Sequence, residues 1–177
     1  VLRTLSTADL TLDERSAIRQ MLDLAFVGNF DDEDWDHALG GLHVIATDGG
    51  QPVAHAAVVQ RRMLHGERAW RCGYVEGVAV HPGWRGQGFA AGVMAEVERI
   101  VDHGYDMGAL SASASGRGLY LRRGWLPWQG PTFALAPSGP RRTAEDDDST
   151  FVRVVPNGAD LHLTGTLTCD WRAGDVW

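Results

Sequence analysis

The chain has 177 residues, 44% hydrophobic and 22% charged, which is the balance of a globular protein long enough to bury a core; disorder, fibrous repeats and a multidomain assembly are excluded. Sixteen Lys+Arg against 23 Asp+Glu give a formal charge of -7, which argues against sequence-independent binding of nucleic acid and favours cationic partners. No apolar run approaches the roughly 20 residues needed to cross a bilayer, so no membrane association is expected.

The first element is a helix. Thr11 and Glu14 stand at capping-box spacing, Ile18, Met21, Leu22 and Ala25 fall on one helical face, and Gly28 is the expected stop. Asp31, Asp32, Glu33, Asp34 and Asp36 crowd the start of a second, short helix running to about Leu39, where unpaired N–H groups favour acids. Leu42 to Thr47 and Val53 to Met63 read as a hairpin about Asp48, Gly49 and Gly50, and a turn at His65, Gly66 and Glu67 leads to a third strand, Trp70 to Val80. Gly88 to His103 carries Phe89, Val93, Val97 and Ile100 at helical spacing, with Gly104 as its stop.

Leu110 and its neighbours suggest another strand, Ser115 to Arg123 a short helix ended by Gly124, and Trp125 to Trp128 an extended segment. Pro127, Pro131, Pro137 and Pro140 punctuate what reads as a long loop. Thr150 to Val155 and Leu161 to Thr168 are then expected to pair as closing strands, with a turn near Asn157 and Gly158, while Cys169 to Trp177 has no clear period. With no repeat and no linker, a single α/β domain over residues 1–177 is the simplest account.

The most informative stretch runs from Val78 through Arg85, Gly86, Gln87, Gly88, Phe89 and Ala90: a strand, a glycine-rich loop and a helix start. Glycines allow close backbone approach to an anion, and the helix end offers unpaired N–H donors and the positive end of its dipole, a natural seat for a pyrophosphate. Neither GxxxxGK[ST] nor GxGxxG fits the spacing. The loop resembles instead the R/Q-x-x-G-x-G/A signature of the GCN5-related N-acetyltransferases. The runs Tyr74 to Val80, Gly124 to Trp128 and Cys169 to Trp177 narrow the resemblance to bacterial aminoglycoside 2'-N-acetyltransferases.

That resemblance implies a fold of the α/β (α+β) class, with a mixed central sheet, one splayed strand pair and flanking helices. It implies acetyl-coenzyme A held at its pyrophosphate by the loop, residues Arg85 to Ala90, with Val78 and Val80 pairing with pantetheine and the acetyl carbonyl, and the 2'-amine of an aminoglycoside as acceptor. It also implies a homodimer. Direct transfer to an amine needs an unprotonated nucleophile, an oxyanion donor and a proton for the leaving thiolate. Glu76 is the candidate to draw the ammonium proton through water, the Val78 N–H the oxyanion donor, and Tyr120 the proton donor to sulfur. Glu76 also reads as a strand glutamate facing solvent, and Tyr120 as a core tyrosine.

The resemblance further implies sugar contacts at Asp34, Ser111, Asp146, Asp175, Glu76 and the terminal carboxylate of Trp177; Asn29 stands where an aspartate contact is expected. The acidic runs Asp31 to Asp36 and Glu145 to Asp148 also read as solvated loops, and for Trp35, Trp125, Trp128 and Trp171 core packing competes with stacking on substrate. The seven histidines lack HExxH spacing, so no metal is expected. Ser111, Ser113 and Ser115 lack a GxSxG context, and two cysteines without activating neighbours are expected to be inert thiols of a protein in a reducing cytoplasm. Two rivals remain: the same chemistry on a polyamine or cell-wall sugar, and a non-catalytic module that binds coenzyme A or a cationic sugar.

Overall fold

A computed structural model describes residues 1–177 except Asn157 and Ala159, so the Asn157 half of the turn expected there lies outside the described residues. The chain divides into two compact units, Val1–Val59 with Val75–Ile100, and Gln60–Tyr74 with Val101–Trp177.

In the first unit, β1 (Leu2–Ser6) runs antiparallel to β2 (Leu42–Asp48), and β2 pairs with the first part of β3 (Gln51–His65). Gly49 and Gly50, at φ +55° and +84°, supply the two left-handed positions that a tight hairpin turn demands. α1 (Leu12–Phe26) starts on the expected capping box: the Thr11 hydroxyl accepts the Glu14 N–H at 3.2 Å and Glu14 accepts the Thr11 N–H at 3.0 Å. Arg3 and these cap bonds hold the Glu14 carboxyl down at about 2.

The helix stops one residue before the expected glycine, with β-branched Val27 as its cap at φ +54°. Leu10, Ile18, Met21 and Leu22 bury a core against Ile45 and Ala79, with Leu5, Ala25, Phe26, Phe30 and Trp35 packed around it. α2 (Asp32–Ala38) follows. The second part of β4 (Arg68–Val80) then leads to α3 (Phe89–Gly104), which buries Val93, Met94 and Val97.

The second unit holds β5 (Met107–Ser111), α4 (Arg117–Arg122), β6 (Leu126–Pro127), β7 (Thr132–Ala136), β8 (Gly139–Arg142), β9 (Thr150–Val154) and β10 (Leu167–Cys169), in the order β6-β9-β5-β4-β3-β10-β7-β8. β4–β5 and β10–β7 are parallel pairs, which makes the sheet mixed. The β4–β5 register ends at Tyr74↔Ala109, six residues before β4 does, which is the parting expected of the splayed pair.

Three expectations are corrected. β1 was not foreseen; its order comes from a five-residue register with β2 and not from its own short sequence. The proline-punctuated loop contains the β7–β8 hairpin; Pro140 is tolerated because β8 is the edge of the sheet, where a missing N–H leaves no ladder bond unmade. The closing strands do not pair with each other: β9 joins β5 and β6, whereas Leu167–Cys169 alone forms β10, between β3 and β7. Residues 161–166 form no strand. Instead Gly165 presses so close to Gly130 that a Cβ at Gly130 would sit 1.9 Å from the Gly165 oxygen.

Candidate active site

In the first unit, the chain leaves β4 at Val80 and turns through Pro82–Trp84 before α3. The turn is held on all sides: His81 N–H donates to the Val53 carbonyl at 2.8 Å, His81 Nδ1 accepts the Gly83 N–H at 3.1 Å, and the Trp84 indole donates to Asp48 at 3.0 Å. The Arg85 side chain points back into protein, its Nη2 donating to the Ala25 carbonyl at 2.9 Å and its Nε to the Val80 carbonyl at 3.3 Å. It therefore ties the loop to the end of α1 and to β4. Gln87 likewise donates to the Gly83 carbonyl, at 3.5 Å.

Gly86 and Gly88 sit at φ +78° and +85°, with nothing within 4 Å of a Cβ built on either, so the need for glycine is conformational. The Gly92 N–H to Gly88 carbonyl bond, 3.0 Å, opens the helical ladder, so the N–H groups of Phe89 and Ala90 have no intrahelical acceptor. A cavity of about 230 Å³ lies between this end of the helix and the β1–β2 pair, lined by Val1, Leu2 and Ala46 on one side and by Gln87, Phe89 and Val93 on the other.

Along β4, Val75 and Ala79 are buried, and Glu76, Val78 and Val80 are half-buried. Between them Gly77 takes φ +55°, a left-handed residue in mid-strand, which breaks the regular alternation of N–H directions. Asn29 is exposed on the α1–α2 connection, its N–H donating to the Phe26 carbonyl at 3.2 Å. Asp34 is engaged in a capping box: its carboxylate accepts the Asp31 N–H at 3.0 Å, and Asp31 accepts the Glu33 and Asp34 N–H groups, both at 2.9 Å. Asp32 pairs with Arg19 at 2.9 Å. Trp35 is half-buried against the core of this unit.

In the second unit, Tyr120 on α4 is 6% exposed, its ring packed near Trp125 and Phe151. Its hydroxyl has no hydrogen-bond partner among the described residues, and burial pushes it up to about 12, so it stays protonated at any physiological pH. Ser111 ends β5 with its hydroxyl donating to Ser149 at 3.1 Å.

Asp146 and Asp147 are neighbours with opposite electrostatics. Asp147 forms a close pair with Arg142 and accepts the Thr132 N–H and hydroxyl, both at 2.9 Å, and is held down at about 2. Asp146 has no cation paired to it among the described residues; burial, then Glu145 and Asp175, push it up to about 6.

The tail is pinned close by. Trp177 is 5% exposed and donates its indole N–H to Thr143 at 2.9 Å, Thr143 donates to Thr132 at 2.8 Å, and the Cys169 thiol donates to the Val176 carbonyl at 3.3 Å. Buried Arg61 anchors the start of the tail through Asp170 at 2.7 Å. Thr132, Thr143 and Arg61 carry no local signal in the sequence, because their pairings span more than ten residues. Asp147 and Asp175 lie near enough to Asp146 to act on its charge, and the Trp177 indole is held at Thr143 in the same unit. Trp125 and Trp128 are core residues, Trp171 is at the surface beneath Arg141, and both thiols are buried and pushed up, Cys169 to about 11.

A turn that presents N–H groups at the start of a long helix, after a strand bent by a left-handed glycine, suits a phosphate-bearing carrier held alongside an extended chain. The model of the acetyltransferase (GNAT) domain matches residues 7–127, and the chain belongs to that family. Over 177 residues it is 54% identical to an aminoglycoside 2'-N-acetyltransferase of Mycolicibacterium fortuitum, a match spanning 99% of this chain and 91% of that protein. The fold is similar to that of the GNAT family N-acetyltransferase YhbS of Escherichia coli in complex with CoA, with a TM-score of 0.64, 19% identity and coverage of 95% of this chain and 88% of that one. It is also similar to a GNAT family acetyltransferase from Brucella melitensis in complex with acetyl-CoA, with a TM-score of 0.61, 17% identity and coverage of 98% and 97%.

Proposed function

We propose that the protein transfers the acetyl group of acetyl-CoA to the 2'-amine of aminoglycosides, by direct attack in a ternary complex and without an acetyl-enzyme. The observation that carries this reading is the 54% identity, along nearly the whole chain, to an enzyme of that name. The loop supports it: the main-chain N–H groups of Gly86 to Ala90 meet the pyrophosphate of the carrier, with Arg85 and Gln87 bracing the loop from behind. Bound acetyl-CoA supplies a thioester carbon for the amine to attack.

Val78 and Val80 offer main-chain groups to the pantetheine arm and the acetyl carbonyl. The Val78 N–H stabilises the charge that develops on the carbonyl oxygen, Glu76 takes the ammonium proton through water, and Tyr120 returns a proton to the thiolate. Burial holds the phenol at about 12, so it is protonated before transfer, and an acid that weak gives up its proton only as negative charge builds on sulfur. Asp146, Asp175, Ser111 and the Trp177 carboxylate supply acceptors for a polycationic sugar, and the family resemblance adds Asn29 and Asp34 as further candidates. The net charge of -7 favours such a ligand over nucleic acid. The reading includes a homodimer acting in the cytoplasm and conferring aminoglycoside resistance.

Thiol release from acetyl-CoA tests it, measured with a 2'-amino aminoglycoside, a 2'-hydroxy aminoglycoside and a polyamine. Release with the first alone is expected. Preferential turnover of the polyamine overturns the antibiotic reading, and no acceptor-dependent release overturns transfer itself.

A further inference from the structure

Two histidines that no step above uses lie in the first unit at 0% exposure, His43 on β2 and His55 on β3. The register sets His43 opposite Ala57 and Ile45 opposite His55, which places both imidazoles on one face of the hairpin as diagonal neighbours. His55 Nδ1 lies 2.8 Å from the Gly77 carbonyl oxygen, His55 Nε2 lies 3.0 Å from His43 Nδ1, and His43 Nε2 lies 2.8 Å from the Thr7 hydroxyl. Thr7 Oγ1 in turn receives the Gly40 N–H at 2.8 Å.

The Gly77 end of this chain fixes every proton in it. A carbonyl oxygen only accepts, so His55 carries its proton on Nδ1 and offers the Nε2 lone pair; His43 must then donate from its own Nδ1 and accept from the Thr7 hydroxyl. Were Thr7 to donate instead to the Gly41 carbonyl, 3.3 Å away, both rings would reverse and a lone pair of His55 would face the Gly77 oxygen. Burial keeps the pair neutral, with Arg15 adding to the effect on His43: His43 is pushed down to about 4 and His55 to about 3.

The acceptor at the end of this chain shares a peptide unit with a group that matters. The carbonyl of Gly77 and the N–H of Val78 belong to one planar trans amide and point in opposite directions. A donor that fixes the Gly77 oxygen from the buried side therefore fixes the direction of the Val78 N–H on the other. Gly77 occupies φ +55°, and a Cβ there would come within 3.3 Å of His55 Nδ1 and 3.8 Å of Leu22 Cδ1. We propose that His55, aligned by His43 and Thr7, is a positioning residue for acetyl transfer: it locks the single peptide plane that presents the Val78 N–H to the developing oxyanion. This rests on the assignment of the Val78 N–H as that donor.

Nitrogen-15 NMR of the imidazoles and kinetics of two variants test it. In the wild-type protein at neutral pH both rings are expected as the Nδ1–H tautomer, and an Nε2–H or doubly protonated ring at either position overturns the proposal. His55→Leu, which removes the donor, is expected to lower kcat by about 10²-fold, as loss of transition-state alignment does, while coenzyme A affinity stays within about twofold. His55→Asn, whose side-chain N–H can take the place of Nδ1–H, is expected to recover most of the lost rate. Unchanged kcat in His55→Leu, or equal losses in kcat and coenzyme affinity that Asn does not rescue, overturns the proposal; should the Leu variant not fold, the tautomers decide. A wild-type protein without acceptor-dependent thiol release fails the functional reading and this one with it, whereas wild-type turnover beside an unaffected His55→Leu fails this one alone.

Discussion

The two acid-rich runs have nearly the same composition and opposite physical states. From Asp31 to Asp36, three of the five carboxylates are engaged in structure: Asp31 and Asp34 close a reciprocal cap, and Asp32 pairs with Arg19. From Glu145 to Asp148 one acid, Asp147, does the same kind of structural work with Arg142 and Thr132, while its neighbour Asp146 is half-buried among other acids whose repulsion, with burial, outweighs the pull of Arg141, and it forms no ion pair among the described residues. A run of negative charge thus says little about ligand binding. An acid whose charge the fold leaves unbalanced says more, because a bound ammonium would relieve it.

The largest expected effect belongs to an acid of neither run. Glu76→Gln should lower kcat by about 10²-fold or more with little change in coenzyme affinity, the range general-base catalysis covers; an unchanged kcat would return Glu76 to the class of structural acids. Next is Asp146→Asn, expected to raise KM for a polycationic aminoglycoside about tenfold with little change in coenzyme affinity.

Its pH dependence follows from the sign of its shift. Asp146 is raised to about 6, so as pH falls through 6 it is protonated and the wild-type KM should climb, a rise absent in the variant. The same shift makes the folded state bind more protons than the unfolded one between the ordinary carboxylate range and about 6, so stability falls as pH rises across that window. Asp146→Asn should therefore melt higher than wild type at pH 7, and the gain should vanish once the pH drops below the ordinary carboxylate range. A variant that loses both stability and affinity would place Asp146 with Asp147.

Asp31→Ala should cost about 1 kcal/mol of stability, as loss of an N-cap does, with KM nearly unchanged. The smallest effect is expected at Val27, which is 79% exposed and held at φ +54°. Val27→Gly should raise stability by up to about 1 kcal/mol in thermal or urea unfolding, since glycine accepts that conformation without a Cβ clash.

The elements legible in the sequence are those whose instructions are local. The Thr11–Glu14 box, the Gly49–Gly50 turn and the path from Val78 to the start of α3 each carry their own code within a few residues. β1, the β7–β8 hairpin and the place of β10 do not, because each is defined by a partner strand far away in sequence, and Pro140 disguises an edge strand as a loop. The site divides the same way. The loop glycines announce themselves, whereas the contrast between Asp146 and Asp147 depends on Arg142 and Thr132, and the His43–His55 pair on the register of a hairpin.

On the proposed reading, the acetyl group of acetyl-CoA reaches one amine of one kind of sugar. Mass spectrometry of tobramycin or gentamicin after incubation with the protein and acetyl-CoA tests it most directly. The account requires a single added acetyl group, located by fragmentation on the 2'-nitrogen; an acetyl group at another amine, or unmodified drug beside intact acetyl-CoA, would contradict it.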